Sequence, residues 1–170
     1  MNWAHIHLMI NHFPVIGMIF AVLLLVYALM KKSEELMKAA LGAFVLIALM
    51  TIPVYLTGEA AEDIVKKLPD VTEALIGSHE EAASVALTLM MVAGIVSLAG
   101  LFLFRSRPLP KWFTIVILVL AFVTSSVMGL TANLGGQVRH TEIRKEGVPG
   151  QPFFPGKKAD DHERRDRKEN

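Results

Sequence analysis

The sequence predicts an all-α integral membrane protein in which four transmembrane helices form an up-down-up-down bundle. Of its 170 residues, 53% are hydrophobic, and the mean hydropathy is +0.47. Charged residues are confined to short patches, and four almost uncharged stretches lie between them. A soluble domain of this length would be less apolar, and its apolar residues would alternate with charged ones.

The four apolar stretches have the length of membrane-spanning helices. Each is close to the ~20 residues that cross a ~30 Å hydrocarbon layer as an α-helix. Inside a bilayer the backbone polar groups must be satisfied within the segment, which here requires helices. The stretches are residues 8–30, 36–56, 82–104 and 112–134.

The first two helices are predicted from their ends. The first is interpreted as a retained helix, because no Lys or Arg precedes it as in a signal peptide. Ser33 is a candidate N-cap for the second helix, and two glutamates follow it in the first turn. Pro53 is expected to kink this helix, and Thr57-Gly58 is expected to end it.

The second half of the chain is divided in the same way. Residues 59–77 are expected to form short helices on the membrane surface. Ser78 and Glu81 have the spacing of a capping box, which would open the third helix and put His79 in its first turn. The fourth helix is expected to end at a Gly-Gly pair. Residues 1–140 would then be the transmembrane domain, and residues 141–170 a charged, flexible C-terminal tail.

The distribution of positive charge predicts the orientation in the membrane. The two tight turns carry most of the basic residues near the bilayer, namely Lys31, Lys32, Lys38, Arg105, Arg107 and Lys111. Cytoplasmic loops of membrane proteins are enriched in Lys and Arg. We therefore expect both termini and the long loop to be periplasmic, in a bacterial inner (cytoplasmic) membrane.

Histidines are concentrated at one membrane face. Some histidines lie near the N-terminus, and others follow the second and fourth helices. The chain crosses the membrane an even number of times between these positions, so five of the six histidines share one membrane face in either orientation. These five are His5, His7, His12, His79 and His140. The sixth, His162, lies in the tail and is interpreted as solvated.

These histidines suggest a metal or haem site. His12 lies about one turn inside the apolar stretch, where ionisable groups are costly and usually face the bundle interior. A neutral imidazole can bind a metal through one nitrogen if its other N–H has an acceptor. Facing helices of four-helix bundles build cofactor sites in this way. Haem b held by two histidines from different helices therefore fits the sequence.

Two helical stripes are candidates for lining such a site. On the fourth helix the stripe combines small and polar residues, and close helix packing is the alternative explanation for its glycines. Its members are Gly129, Asn133, Gly136 and His140. On the first helix the corresponding stripe is His5, Met9, His12 and Ile16.

Two other interpretations of the histidines stay open. His5, His7 and Met9 could suit a copper ion, and zinc is a related alternative. A non-redox structural or assembly subunit, with interface histidines, is the other. The chain has no cysteine, which excludes disulfides, iron–sulfur ligation by thiolates and covalent c-type haem.

Several short motifs resemble one family. The segment His7-Leu-Met-Ile-Asn-His-Phe-Pro14 resembles the His-Pro-x-x-Val-His-Phe-Pro opening of the bacterial membrane family called domain of unknown function 2231, with Leu8 in place of its usual proline. The resemblance continues with Thr57-Gly58, with the histidine that heads the third helix, and with residues 134–140. It covers nearly the whole membrane part of the chain.

The family is similar to small b-type cytochromes, which implies haem iron held by histidines. The resemblance implies His7, His12, His79 and His140 as ligands, enough for one or two bis-histidine haems, with His5 as a substitute. Since the first and third helices lie across a diagonal, His12 is expected to face His79. His7 and His140 would then flank a second haem.

Electron transfer is the expected function. We find no G-x-S-x-G, H-E-x-x-H or phosphate-loop motif, and a net charge of +1 without a basic motif predicts no nucleic-acid partner. We expect a cytochrome that relays electrons between the quinone pool and a periplasmic redox protein, with quinol oxidation left open. A homodimer or a larger membrane complex also stays open.

A quinone or proton route is a subsidiary expectation for the same face. Tyr55, Thr57, Glu59 and Glu62 lie at the membrane level of the histidines and could line such a route. The alternative is that the two glutamates are merely solvated at a helix end.

Overall fold

The computed structural model describes residues 1–140, 143 and 144, and the residues it describes form an all-α membrane bundle. Four helical segments in this part of the chain are long and apolar enough to cross a membrane. The predicted fold class is therefore confirmed. The helices are α1 (Trp3–Ile10), α2 (His12–Lys31), α3 (Glu34–Val65), α4 (Glu73–Leu103) and α5 (Lys111–Arg139).

The helices pack as a closed ring. Helix α2 packs against α3, α3 against α4, α4 against α5, and α5 against α2, while α1 packs mainly against α3. Helices α2 and α4 therefore lie across one diagonal of the bundle, as expected for up-down-up-down topology. We call the end that holds the start of α1, the α3–α4 connection and the end of α5 the histidine face.

The core consists of small and flexible side chains. Alanines such as Ala40 and Ala93 are completely buried beside Met18 and Phe44. Small residues allow membrane helices to approach closely. Large side chains such as Phe122 point outward and are exposed, as expected for helices whose surroundings are lipid.

The end opposite the histidine face is closed by contacts between its two turns. Lys38 Nζ donates to the Arg105 carbonyl at 3.1 Å, and Glu34 Oε2 accepts from the Leu109 N–H at 3.0 Å. Ser33 caps α3 by accepting from the Leu36 N–H at 3.4 Å, which confirms the predicted N-cap.

Two predictions at the histidine face are wrong. Helix α3 continues through Pro53 and Thr57-Gly58 to Val65, so most of the expected surface segment belongs to α3 and α4. Helix α4 begins at Glu73, with Thr72 as its N-cap. Ser78 lies inside α4 and bonds the Ala74 carbonyl at 2.8 Å, a bond that serine can make in mid-helix. The capping-box spacing alone does not distinguish these two positions.

The first span runs from Trp3 to Lys31 as one membrane-crossing unit, as expected, and its helical hydrogen bonding is interrupted at Asn11, whose backbone stays right-handed helical. Pro14 explains the break, because proline lacks the N–H that would bond the Ile10 carbonyl, and its ring clashes with that carbonyl. Helix α1 therefore ends at Ile10, with the Asn11 N–H bonded to the His7 carbonyl at 2.9 Å. Helices α1 and α2 both pack against α3.

Arg144 ties the end of α5 to the α3–α4 connection. Its guanidinium donates to the carbonyls of Gln137 at 2.7 Å, Val138 at 3.0 Å and Asp70 at 2.6 Å. The rest of the expected tail, including His162, lies outside the described residues.

Candidate functional site

His7 contacts the neighbouring helix through one ring nitrogen. Its Nδ1 lies 3.0 Å from the Val54 carbonyl oxygen of α3 and 3.4 Å from Thr57 Oγ1. A carbonyl can only accept a hydrogen bond, so Nδ1 must carry the proton. The other ring nitrogen, Nε2, is then unprotonated and able to bind a metal.

His79 makes the same contact in the other half of the bundle. It lies on α4, and its Nδ1 is 3.1 Å from the Thr131 carbonyl oxygen of α5. The same reasoning puts the proton on Nδ1 and leaves Nε2 as a ligand nitrogen. Within the described residues, Nε2 of neither His7 nor His79 has a hydrogen-bond partner.

A glycine lies four residues after each accepting carbonyl. A helical side chain leans toward the N-terminus and covers the turn before it. A Cβ atom at Gly58 would lie 3.1 Å from His7 Cε1, and one at Gly135 would lie 2.9 Å from His79 Cε1. Glycine at these positions therefore leaves the carbonyls of Val54 and Thr131 open to the imidazoles.

The bundle thus contains the same arrangement twice. We call the carbonyl of Val54 with Gly58 the first seat, and the carbonyl of Thr131 with Gly135 the second seat. In the first half, His7 of α1 contacts the first seat on α3. In the second half, His79 of α4 contacts the second seat on α5. His7 lies on α1 and His79 on α4, so two imidazoles with matched hydrogen bonds lie at the same end of the bundle.

This pair of ligands fits haem better than a bare metal ion. A bis-histidine haem takes two imidazoles from the protein, since the macrocycle supplies the other ligands. Protein zinc sites use three or four side chains. In the described part of the chain, no three His, Asp or Glu side chains converge as a metal site. His7 and His79 are therefore the residues that would hold a haem.

Two buried side-chain oxygens at the histidine-face end of the bundle have no hydrogen-bond partner among the described residues. They are Asn11 Oδ1, one helical turn after His7, and Glu81 Oε2, two residues after His79. Buried polar atoms in native proteins are almost always paired. Asn11 lies on the same helical side as His7, whereas Glu81 lies roughly opposite to His79 on α4.

The other predicted histidines are not part of this pair. His5, His12 and His140 are exposed, and the backbone N–H of His140 bonds the Gly136 carbonyl at 2.8 Å as α5 ends. The hydrogen bonds of the rings single out His7 and His79, and the expected pairs of His12 with His79 and of His7 with His140 stay predictions.

Both predicted stripes face away from the site. The stripe of His5, Met9, His12 and Ile16 is exposed along its whole length. Successive helical residues turn by about 100°, so His7 points roughly opposite to His5. A copper site that joins these two side chains with Met9 does not fit this arrangement.

The glycines of the fourth-helix stripe are not those that contact a histidine. A Cβ at Gly129 would meet nothing within 4 Å, whereas one at Gly136 would approach Ile143. Gly129 and Asn133 are exposed. Gly135, one position outside the stripe, is the glycine against His79.

The polar residues considered for a proton or quinone route are at the end of α3. Glu59 is exposed, and Glu62 forms an ion pair with Lys66. The Glu62 hydrogen bond raises the pKa of Lys66, which lies just beyond the span. Glu62 and Glu80 are within hydrogen-bonding reach of each other. This chain of side chains lies at the rim of the histidine face.

Sequence reasoning missed the two seats. A backbone carbonyl carries no side-chain signal, so Val54 and Thr131 could not be identified by residue type. The sequence does contain one signal for the seats. The second and fourth spans each have a glycine near their end, and the first and third spans each have a histidine near their start, at the same membrane level. Gly58 and Gly135 are these glycines.

The chain was also compared with known proteins. No protein-family model, curated protein or solved structure gives a significant match. What the site binds is therefore inferred from the geometry of the two seats.

Proposed function

We propose that this protein is a membrane b-type cytochrome that holds one haem b between Nε2 of His7 and Nε2 of His79. The observation that carries the proposal is the matched hydrogen bonding of the two rings. Each Nδ1–H is bonded to a carbonyl of another helix, and each Nε2 is left for iron. Histidine ligands of metals almost always have such an acceptor on the second nitrogen.

The protein's contribution is to orient two imidazoles and to keep them neutral. The carbonyls of Val54 and Thr131 fix the tautomer and the ring direction, and they raise the basicity of Nε2. Haem, when bound there, supplies reversible one-electron chemistry. His7 and His79 are the residues that would hold such a cofactor.

Electron relay is the proposed role of this site. The pair lies near one end of the bundle, where a redox protein could approach from that membrane surface. We propose that electrons pass between the quinone pool and an external partner. The basic turns at the opposite end support an inner-membrane orientation with periplasmic termini, which reporter fusions at Asn170 would test.

The motif resemblance supports the same proposal. The segment His7–Pro14 and His79 lie in the motifs that resemble a family of small haem-binding membrane proteins. Both proposed ligands were among those that the resemblance implied. The proposal differs in the number of haems and in their pairing, because His12 and His140 are exposed.

Metal and haem analysis of one detergent-purified preparation tests the proposal. The full chain should contain iron in pyridine-haemochrome form, and the haem should be reduced by a quinol. Stoichiometric copper or zinc without haem would instead support a metal-handling protein. A preparation that contains none of these, even after incubation with haemin, would support a structural subunit and would contradict a cytochrome.

A further inference from the structure

The two seats differ at the residue three positions after the carbonyl. In the first seat this residue is Thr57, and in the second seat it is Leu134. Thr57 is buried, with 8% of its surface exposed. Its hydroxyl donates to the Val54 carbonyl at 2.9 Å and lies 3.4 Å from His7 Nδ1. Leu134 can make neither contact, so only His7 has a hydroxyl beside its protonated nitrogen.

The Thr57 hydroxyl has a different acceptor from the hydroxyls of Thr51 and Thr124. Thr51 and Thr124 bond the carbonyl four residues earlier, as helical threonines commonly do. Thr57 instead bonds the carbonyl three residues earlier, which is the carbonyl that His7 uses. The hydroxyl and the imidazole therefore share one acceptor, and this brings the hydroxyl oxygen next to Nδ1.

This arrangement gives the His7 N–H two acceptors. Because the Thr57 hydrogen is directed to Val54, the oxygen lone pairs are left to face Nδ1. An N–H shared between two oxygens is held in a narrower range of ring orientations. Stronger hydrogen bonding by the Nδ1–H group also increases the electron density of the imidazole ring, which makes Nε2 a stronger electron donor to a metal. His79 has one acceptor, the Thr131 carbonyl.

We propose that Thr57 is a positioning residue that holds the His7 imidazole and makes it the more electron-donating of the two ligands. The inference rests on the proposed function, since it concerns the ligands of the same haem. A stronger donor favours ferric over ferrous iron. Removal of the hydroxyl should therefore raise the reduction potential of the haem, and a hydroxyl added to the second seat should lower it.

The test compares four variants of the full chain by redox titration in detergent. Thr57→Val should shift the potential to more positive values, and Thr57→Ser should restore the wild-type value. Leu134→Thr should shift it in the opposite direction. Thr51→Val removes a buried threonine with an ordinary helical bond and should leave the potential unchanged. Equal potentials in Thr57→Val and wild type, or a shift of the same size in Thr51→Val, would overturn the proposal.

A haem-free measurement separates this inference from the proposed function. In ¹⁵N-histidine-labelled protein without haem, the Nδ1–H proton of His7 should resonate further downfield than that of His79. Thr57→Val should move it upfield, whereas Thr51→Val should not. An unchanged resonance contradicts the role of Thr57 whether or not haem binds. Absence of haem from wild type, with the resonance shift present, contradicts the cytochrome alone.

Discussion

The two halves of the bundle reach the same imidazole geometry by different routes. His7 is carried by the eight-residue helix α1, which Pro14 and Asn11 separate from α2. His79 lies in the second turn of α4, an uninterrupted helix of 31 residues. The repeated unit is therefore the seat on the following helix, and not the helix that carries the histidine. In both halves the ring lies against a carbonyl that is followed, four residues later, by a glycine.

The two seats also differ in how much room the ring leaves for a side chain at the glycine. A Cβ at Gly135 would approach His79 Cε1 to 2.9 Å, whereas the corresponding distance from Gly58 to His7 Cε1 is 3.1 Å. Helix α1 can adjust at Asn11, while α4 has no break near His79. We therefore expect substitution of Gly135 in the second seat to be more disruptive than substitution of Gly58 in the first.

The largest predicted effect is the loss of either ring. His7→Ala and His79→Ala should each strongly lower the haem content, and the haem that remains should be high-spin, because only one imidazole is left to bind the iron. The Soret absorbance per mole of purified protein measures the loss. Halved haem content in either variant would mean two independent sites.

Exposed histidines on the same face supply the matched controls. His5→Ala and His12→Ala remove imidazoles at the same membrane level, yet both side chains point away from the pair. Each variant should keep the wild-type haem content. Loss of haem in His12→Ala, together with retention in His7→Ala, would replace the proposed ligand pair.

The next effect distinguishes the two seats. Gly135→Ala should push His79 off the Thr131 carbonyl and weaken haem affinity about 10- to 100-fold, the usual loss when the outer hydrogen bond of a ligand is removed. Gly58→Ala should weaken it less, because the distance is longer and α1 can move. Haem titration of the haem-free variants measures both affinities.

Gly129→Ala is the control for these substitutions. It changes a glycine of the same helix at a position where a Cβ meets nothing within 4 Å. Alanine is also a better helix former than glycine, so the variant should be as stable as wild type and should bind haem equally well. Equal losses in Gly129→Ala and Gly135→Ala would show that helix α5 is sensitive in general and that the seat is not special.

The smallest predicted effect concerns Arg144, which links the end of α5 to the α3–α4 connection. Arg144→Lys keeps the charge but removes the planar group that reaches three carbonyls. The free energy of unfolding should fall by about 1–2 kcal/mol, measured by denaturant unfolding in detergent. Arg139→Lys, at an exposed position, should change it by less. Equal losses in the two variants would contradict a specific role for Arg144.

The helices and their order could be predicted from the sequence because lipid imposes a strong constraint on composition and length. Ser33 was identified correctly because the residues around it offer few competing caps. Ser78 was not, since a serine inside a helix can also bond the carbonyl four residues earlier, as Ser78 does with Ala74. Thr57-Gly58 looked like a helix end because glycine is a poor helix former, but the cost of about 1 kcal/mol is small beside the packing of α3.

The site was only partly predictable for a related reason. The sequence shows which residues can bind iron, and the crossing count shows that they share a membrane face. It does not show which way each ring points, because that depends on the break at Asn11 and on carbonyls hidden in the backbone. His7 was therefore predicted together with His5 and His12, whose side chains are exposed.

The most direct test of the central claim is the electron paramagnetic resonance spectrum of the oxidised, purified protein with its haem content measured on the same sample. One haem held by His7 and His79 predicts a single low-spin ferric signal of the bis-imidazole type and one haem per chain. Two haems per chain, or a high-spin signal from iron with one imidazole ligand, would contradict the paired-seat arrangement.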